Sequence, residues 1–121
     1  MSRTLLFVDD DVDVREAFGD LFDFHGWTVV HAADGQEALD WLEANPAPTA
    51  ILLDLKMPRV DGYEFRRRQL ADARWRDVPT VAFTADANAD GLATPSLDGA
   101  PLARKSLSFP ELLALLERLV R

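Results

Sequence analysis

The residues of this chain best suited to chemistry are acids, and they stand where apolar runs stop. Thr4 to Val8 ends in Asp9-Asp10-Asp11, and Ala50 to Leu53 ends in Asp54. A hydroxyl, Thr84, closes a further run from Val78 to Phe83, and Lys105 follows Pro101 to Arg104. If these runs are parallel strands, their carboxyl ends share one edge of a sheet, the edge at which open α/β sheets bind ligands. Carboxylates held close together repel, and their pKa values rise unless a cation lies between them. A hard divalent ion that prefers oxygen ligands and keeps several waters, Mg²⁺ before others, relieves that repulsion. Each residue also has a plainer reading. Asp9-Asp10 can cap a helix, Asp54 can end a strand, Thr84 can serve a turn, and Lys105 can be a solvated charge.

The positioning elements are legible from period and punctuation. Val14, Ala17, Phe18, Leu21 and Phe22 form one stripe of a first helix, capped by Asp11 or Asp13 and stopped by Gly26. Trp27 to Ala32 reads as a second strand. Asp34 with Glu37 forms a capping box for a helix through Ala44, with Ala38, Leu39, Trp41 and Leu42 facing inward. Ala50 to Leu53 is apolar throughout, as a strand buried on both faces is. Pro58 and Asp61-Gly62 then break the chain before a helix from about Gly62 to Ala71. Ser108-Phe109-Pro110-Glu111 caps a last helix whose apolar stripe holds Leu112, Leu113, Leu115, Leu116, Leu119 and Val120. Strands alternating with helices at this spacing predict a parallel sheet with helices on both faces.

The stretch Asp54–Gly62, Asp-Leu-Lys-Met-Pro-x-x-Asp-Gly after a buried strand, resembles the phosphoacceptor segment of response-regulator receiver domains. With the acid pair Asp9-Asp10, Thr84 and Lys105 in this chain order, the resemblance extends over the whole chain. It implies a flavodoxin-like, doubly wound, five-stranded parallel sheet of order 2-1-3-4-5. It also implies that Asp54 accepts a phosphoryl group from a sensor histidine kinase or histidine phosphotransfer protein. Asp10, Asp54 and the backbone carbonyl of Lys56 then ligate Mg²⁺, with Asp9 acting largely through water. Thr84 donates its hydroxyl to a phosphoryl oxygen and Lys105 neutralises charge. Pulling Thr84 and Lys105 inward biases a surface that a downstream protein reads.

Three departures from the family fall on the output half. Proline usually follows the family's lysine, and here the residue is Ser106, so a trans Lys105-Ser106 bond is expected, with Lys105 less firmly aimed. The aromatic usual three positions before that lysine is Leu102. Between the fourth and fifth strands, Gly91 and Pro95 occupy what would be a helix interior, at costs of roughly 1 and 3 kcal/mol relative to Ala. That fourth helix is expected to be short, irregular or mobile. Signalling by ordering of 86–100 is the accompanying hypothesis, testable by amide exchange with beryllofluoride and Mg²⁺. Lys56 and Asp86 flank the expected path of the attacking water. An ion pair between them would slow loss of the phosphoryl group, which the dephosphorylation rate of Lys56→Ala would test; two exposed charges are the plain alternative.

The totals bound the rest. A chain of 121 residues, 48% hydrophobic and 28% charged, is expected to be one domain spanning 1–121. The absence of cysteine excludes disulfides and thiolate metal sites, and with no apolar run near roughly 20 residues it suits a cytoplasmic location away from membranes. A net charge of -8 argues against direct nucleic-acid binding. A monomer or weak dimer is expected. Arg66-Arg67-Arg68 with Arg74 and Arg76 reads as a solvated face on which Glu64 pairs with Arg68. His25, His31 and the three tryptophans read as structural. The leading function is a phosphorylated signalling domain rather than a turnover enzyme. The alternative is a receiver-like binding module that acts without phosphorylation. A Mg²⁺-dependent phosphohydrolase would want a second acid where Lys56 stands, and a flavin site lacks its phosphate loop.

Overall fold

The computed structural model describes residues 3–85 and 99–120. Five parallel strands form one sheet in the order β2-β1-β3-β4-β5. They are β1 (Arg3–Val8), β2 (Trp27–Ala32), β3 (Ala50–Leu53), β4 (Thr80–Thr84) and β5 (Leu102–Arg104). Among the described residues four helices accompany them: α1 (Val12–Phe24), α2 (Gly35–Ala44), α3 (Gly62–Leu70) and α4 (Phe109–Leu119). This is the expected doubly wound arrangement. The expectation for a broken helix between β4 and β5 lies outside the described residues.

Alternate residues of the central strands serve opposite layers, because successive side chains of a strand point to opposite faces. Leu5, Phe7, Leu52 and Phe83 pack with Phe22 of α1 and with Leu112 and Leu116 of α4. Leu6, Val8, Ile51 and Leu53 pack with Ala38, Leu39 and Leu42 of α2 and Phe65 of α3. All four residues of β3 are fully buried, as a continuous apolar run predicts.

The helix starts follow the capping rules. Asp11 accepts from the backbone N–H groups of Asp13 and Val14, Asp34 from that of Glu37, and Asp61 from that of Glu64. Ser108 accepts from Glu111, with Pro110 in the first turn. The α1 stripe is narrower than expected: Ala17 and Leu21 are exposed, and Val14, Phe18 and Phe22 carry the packing. β4 begins at Thr80 rather than Val78, because Val78 closes a turn by donating to the Trp75 carbonyl. β5 likewise begins at Leu102, one residue later than its pattern suggested.

The arginine cluster is not one solvated face. Arg66 is buried and donates to Gln69 at 2.9 Å. Arg67 and Arg68 both pair with Glu64, the latter at 2.7 Å. Gln69 is fully buried, and its amide donates to the carbonyls of Trp75 and Val78 and meets the Thr80 hydroxyl, tying the end of α3 to the start of β4. Among the described residues no helix is long and apolar enough to cross a membrane.

Candidate functional site

Backbone hydrogen bonds set the residues of the sheet edge in register. Asp9 N donates to Ala32 O, Asp54 N to Val8 O at 2.8 Å, and Lys105 N to Thr84 O at 2.8 Å. Each of these bonds fixes a residue at the point where a strand gives way to a loop. The side chains follow from that placement.

The structure brings the sequence-derived residues together. Carboxylate oxygens of Asp9, Asp10 and Asp54 all lie within 4.8 Å of one another. Lys105 Nζ sits 2.8 Å from Asp9 Oδ2 and 3.6 Å from Asp54 Oδ2. Asp9 is fully buried. Its Oδ1 accepts the Asp11 backbone N–H, while Oδ2 meets Lys105 by charge without a well-aligned hydrogen bond. Asp54 is 5% exposed and Thr84 1%, whereas Asp10 opens to solvent. Asp10, Asp11, Asp54, Lys56, Thr84, Ala85 and Lys105 line a cleft of about 430 Å³. Lys105 therefore reaches both acids despite the serine that follows it. No peptide bond among the described residues is cis, so the Lys105-Ser106 bond is trans as expected.

Burial, then the Asp9 charge, pushes the Asp54 carboxyl up to about 7; Asp10 adds to this and Lys105 opposes it. Burial works against the Lys105 ammonium, but the Asp9 and Asp54 carboxylates outweigh it and its pKa rises. Lys105 thus stands against two of the three acids. A donor set of three crowded carboxylates suits a hard divalent cation.

A glycine completes the frame. A Cβ on Gly62 would meet the Asp54 carbonyl oxygen, so only glycine lets α3 start this close beneath the acid. The proposed Lys56–Asp86 pair lies outside the described residues. A second groove of about 370 Å³ between α2 and α3 has its charges paired internally, Arg67 and Arg68 with Glu64 and Arg74 with Glu43 and Asp72.

The model of the response regulator receiver domain matches residues 5–116. The chain belongs to that family. Response regulator MprA of Mycobacterium sp. (strain KMS) is 38% identical over 122 residues, covering 100% of this chain and 52% of the relative. The MprA of Mycobacterium tuberculosis (strain ATCC 25177 / H37Ra) is 37% identical over the same span. The chain therefore spans about half the length of these relatives. Among solved structures, the receiver domain of sensor histidine kinase PA1611 from Pseudomonas aeruginosa PAO1 is similar, with a TM-score of 0.89 at 27% identity over 99% of this chain and 98% of that one. That structure holds a magnesium ion coordinated in its active-site cleft. Chemotaxis response regulator CheY4 of Vibrio cholerae is similar with a TM-score of 0.87 at 25% identity, over 98% of this chain and 99% of that one.

The sequence missed one pairing. Arg59, in the loop between β3 and α3, pairs with Asp34, the N-cap of α2. Nothing in their spacing of 25 positions announces it.

Proposed function

We propose that this receiver domain is a phosphoacceptor loaded on Asp54, with Mg²⁺ as cofactor, by a histidine kinase or histidine phosphotransfer protein. It is a signalling domain rather than a turnover enzyme. The observation that carries the reading is Lys105 Nζ placed between the buried carboxylates of Asp9 and Asp54, with the Asp10 carboxylate beside them.

Asp10, Asp54 and the Lys56 carbonyl are the groups that would hold the cation, with Asp9 acting behind them. When bound, Mg²⁺ supplies positive charge to phosphoryl oxygens and removes the repulsion among the acids. An Asp54 carboxylate oxygen forms the new bond to phosphorus as the phosphorus–nitrogen bond of a phosphohistidine breaks. The bonding pair stays on the imidazole nitrogen, which takes up a proton. Transfer through a loose transition state asks the protein for alignment and positive charge rather than covalent help. Lys105 offers that charge from a position already within reach of Asp54. Thr84, at the end of β4, is the hydroxyl available to the arriving phosphoryl oxygens, and its movement and that of Lys105 couple loading to the β4 and β5 ends.

The test is exposure of the protein to acetyl phosphate with and without Mg²⁺, read by intact mass. The expected result is one phosphoryl group per chain, dependent on Mg²⁺, and none on Asp54→Asn with its folding kept. No labelling of the parent would leave the binding-module reading in its place, and sustained turnover of phosphoesters would revive the hydrolase.

A further inference from the structure

The loop between β3 and α3 is tied down at a point that phosphoryl transfer does not itself require. Arg59 has φ 62, a left-handed conformation that a non-glycine residue rarely takes. Glycine would adopt it freely, so the side chain must serve something. It grips Asp34 with a fork: Nε donates to Oδ2 at 2.7 Å and a terminal nitrogen donates to Oδ1 at 2.9 Å. Asp34 is the N-cap of α2 and is almost fully buried, while the Arg59 side chain is 58% exposed. Beside the pair, Gly35 N donates to Val60 O at 3.0 Å, and a Cβ on Gly35 would collide with that same oxygen. At its base the loop is closed by Gly62 N donating to Leu55 O at 3.0 Å. β2 and β3 are not neighbours in the sheet, so these contacts strap the loop to α2 across the end of β1.

An ion pair with its arginine largely in solvent stabilises a fold modestly. Its effect here is geometric, because between the base and the strap lies Lys56, which lines the acid cleft. We propose that Arg59 is a positioning residue: by gripping Asp34 it holds the β3–α3 loop so that Lys56 presents its backbone carbonyl to the cation of the acid cleft. This rests on the proposed function and adds to it a residue that touches neither substrate nor metal. Partners that orient ligands in this way typically govern metal affinity by 10–100-fold.

Two variants separate the strap from the fold. Arg59→Gly removes the fork and leaves the backbone free to keep its φ. Asp34→Asn keeps a good N-cap but loses the charge the fork requires. The measurements are the Mg²⁺ dissociation constant by calorimetry, amide exchange across 55–60 without metal, and labelling by acetyl phosphate against Mg²⁺ concentration. The expectation is that each variant weakens Mg²⁺ by about tenfold, speeds exchange in the loop, and recovers the parent's labelling rate once Mg²⁺ is saturating. The double variant should be no worse than either single one, since both remove one interaction. Unchanged Mg²⁺ affinity in Arg59→Gly overturns the proposal, whether or not exchange accelerates, and leaves the phosphoacceptor reading standing. Additive losses in the double variant also overturn it. A parent that binds no Mg²⁺ removes both.

Discussion

Asp54 is a buried acid whose nearest charged neighbours are two more acids and one lysine. Its carboxyl stands near 7 where an ordinary aspartate stands at 3.8, with burial as the main cause and Asp9 next. An acid raised in this way holds its proton more tightly in the folded chain than in the unfolded one. Its contribution to stability is fully present below about 3.8 and is lost as pH rises through about 7. The metal-free protein should therefore gain from Asp54→Asn above pH 7, by about 2 kcal/mol after discounting for solvent at the open side of the cleft. Near pH 4 the gain should nearly vanish. Urea unfolding without Mg²⁺ at both pH values is the check, and a difference independent of pH would contradict the charge account. On the proposed function, the carboxylate to be loaded is held at the fold's expense, and a cation in the cleft would relieve that cost.

The elements show a buried hydrogen-bond cluster between α3 and β4. Gln69 is fully buried, and its amide holds the carbonyls of Trp75 and Val78 and the hydroxyl of Thr80. Gln69→Leu leaves buried polar groups without this partner and should cost about 2 kcal/mol in urea unfolding. A loss no larger than that of an exposed α3 substitution would show that the amide is dispensable. This knot was invisible in the chain, where Gln69 looks like any helix-surface residue. So was the burial of Arg66, which its two exposed arginine neighbours disguise. What local patterns specify was legible: the β3 run buried on both faces, the caps at Asp11, Asp34 and Ser108, and the pairing of Glu64 with Arg68. Long-range pairs such as Arg59 with Asp34 were not, because neither residue's type or spacing depends on the other until the sheet brings two loops together. The exposed Ala17 and Leu21 show the same limit, since helical period identifies a stripe but not how wide a neighbour covers it.

For the whole molecule, the order β2-β1-β3-β4-β5 is what makes one site of four distant segments. Asp9 leaves β1, Asp54 leaves the adjacent β3, Thr84 ends β4 and Lys105 leaves β5, so every strand end except that of β2 contributes. A chain carrying a net charge of -8 concentrates three of its carboxylates there, with the Lys105 ammonium against two of them. A cation added to this cleft should stabilise the entire fold by mass action, about 2.7 kcal/mol at a hundred times its dissociation constant. The most direct test of the central claim, that these side chains converge to load Asp54, is a crystal structure with Mg²⁺ and beryllofluoride. The account predicts the fluoride group bound to an Asp54 carboxylate oxygen, Lys105 Nζ and the Thr84 hydroxyl each in hydrogen-bond contact with a fluorine, and the cation beside Asp10. A structure with Asp54 unmodified, or with Lys105 turned away from the fluoride, would contradict it.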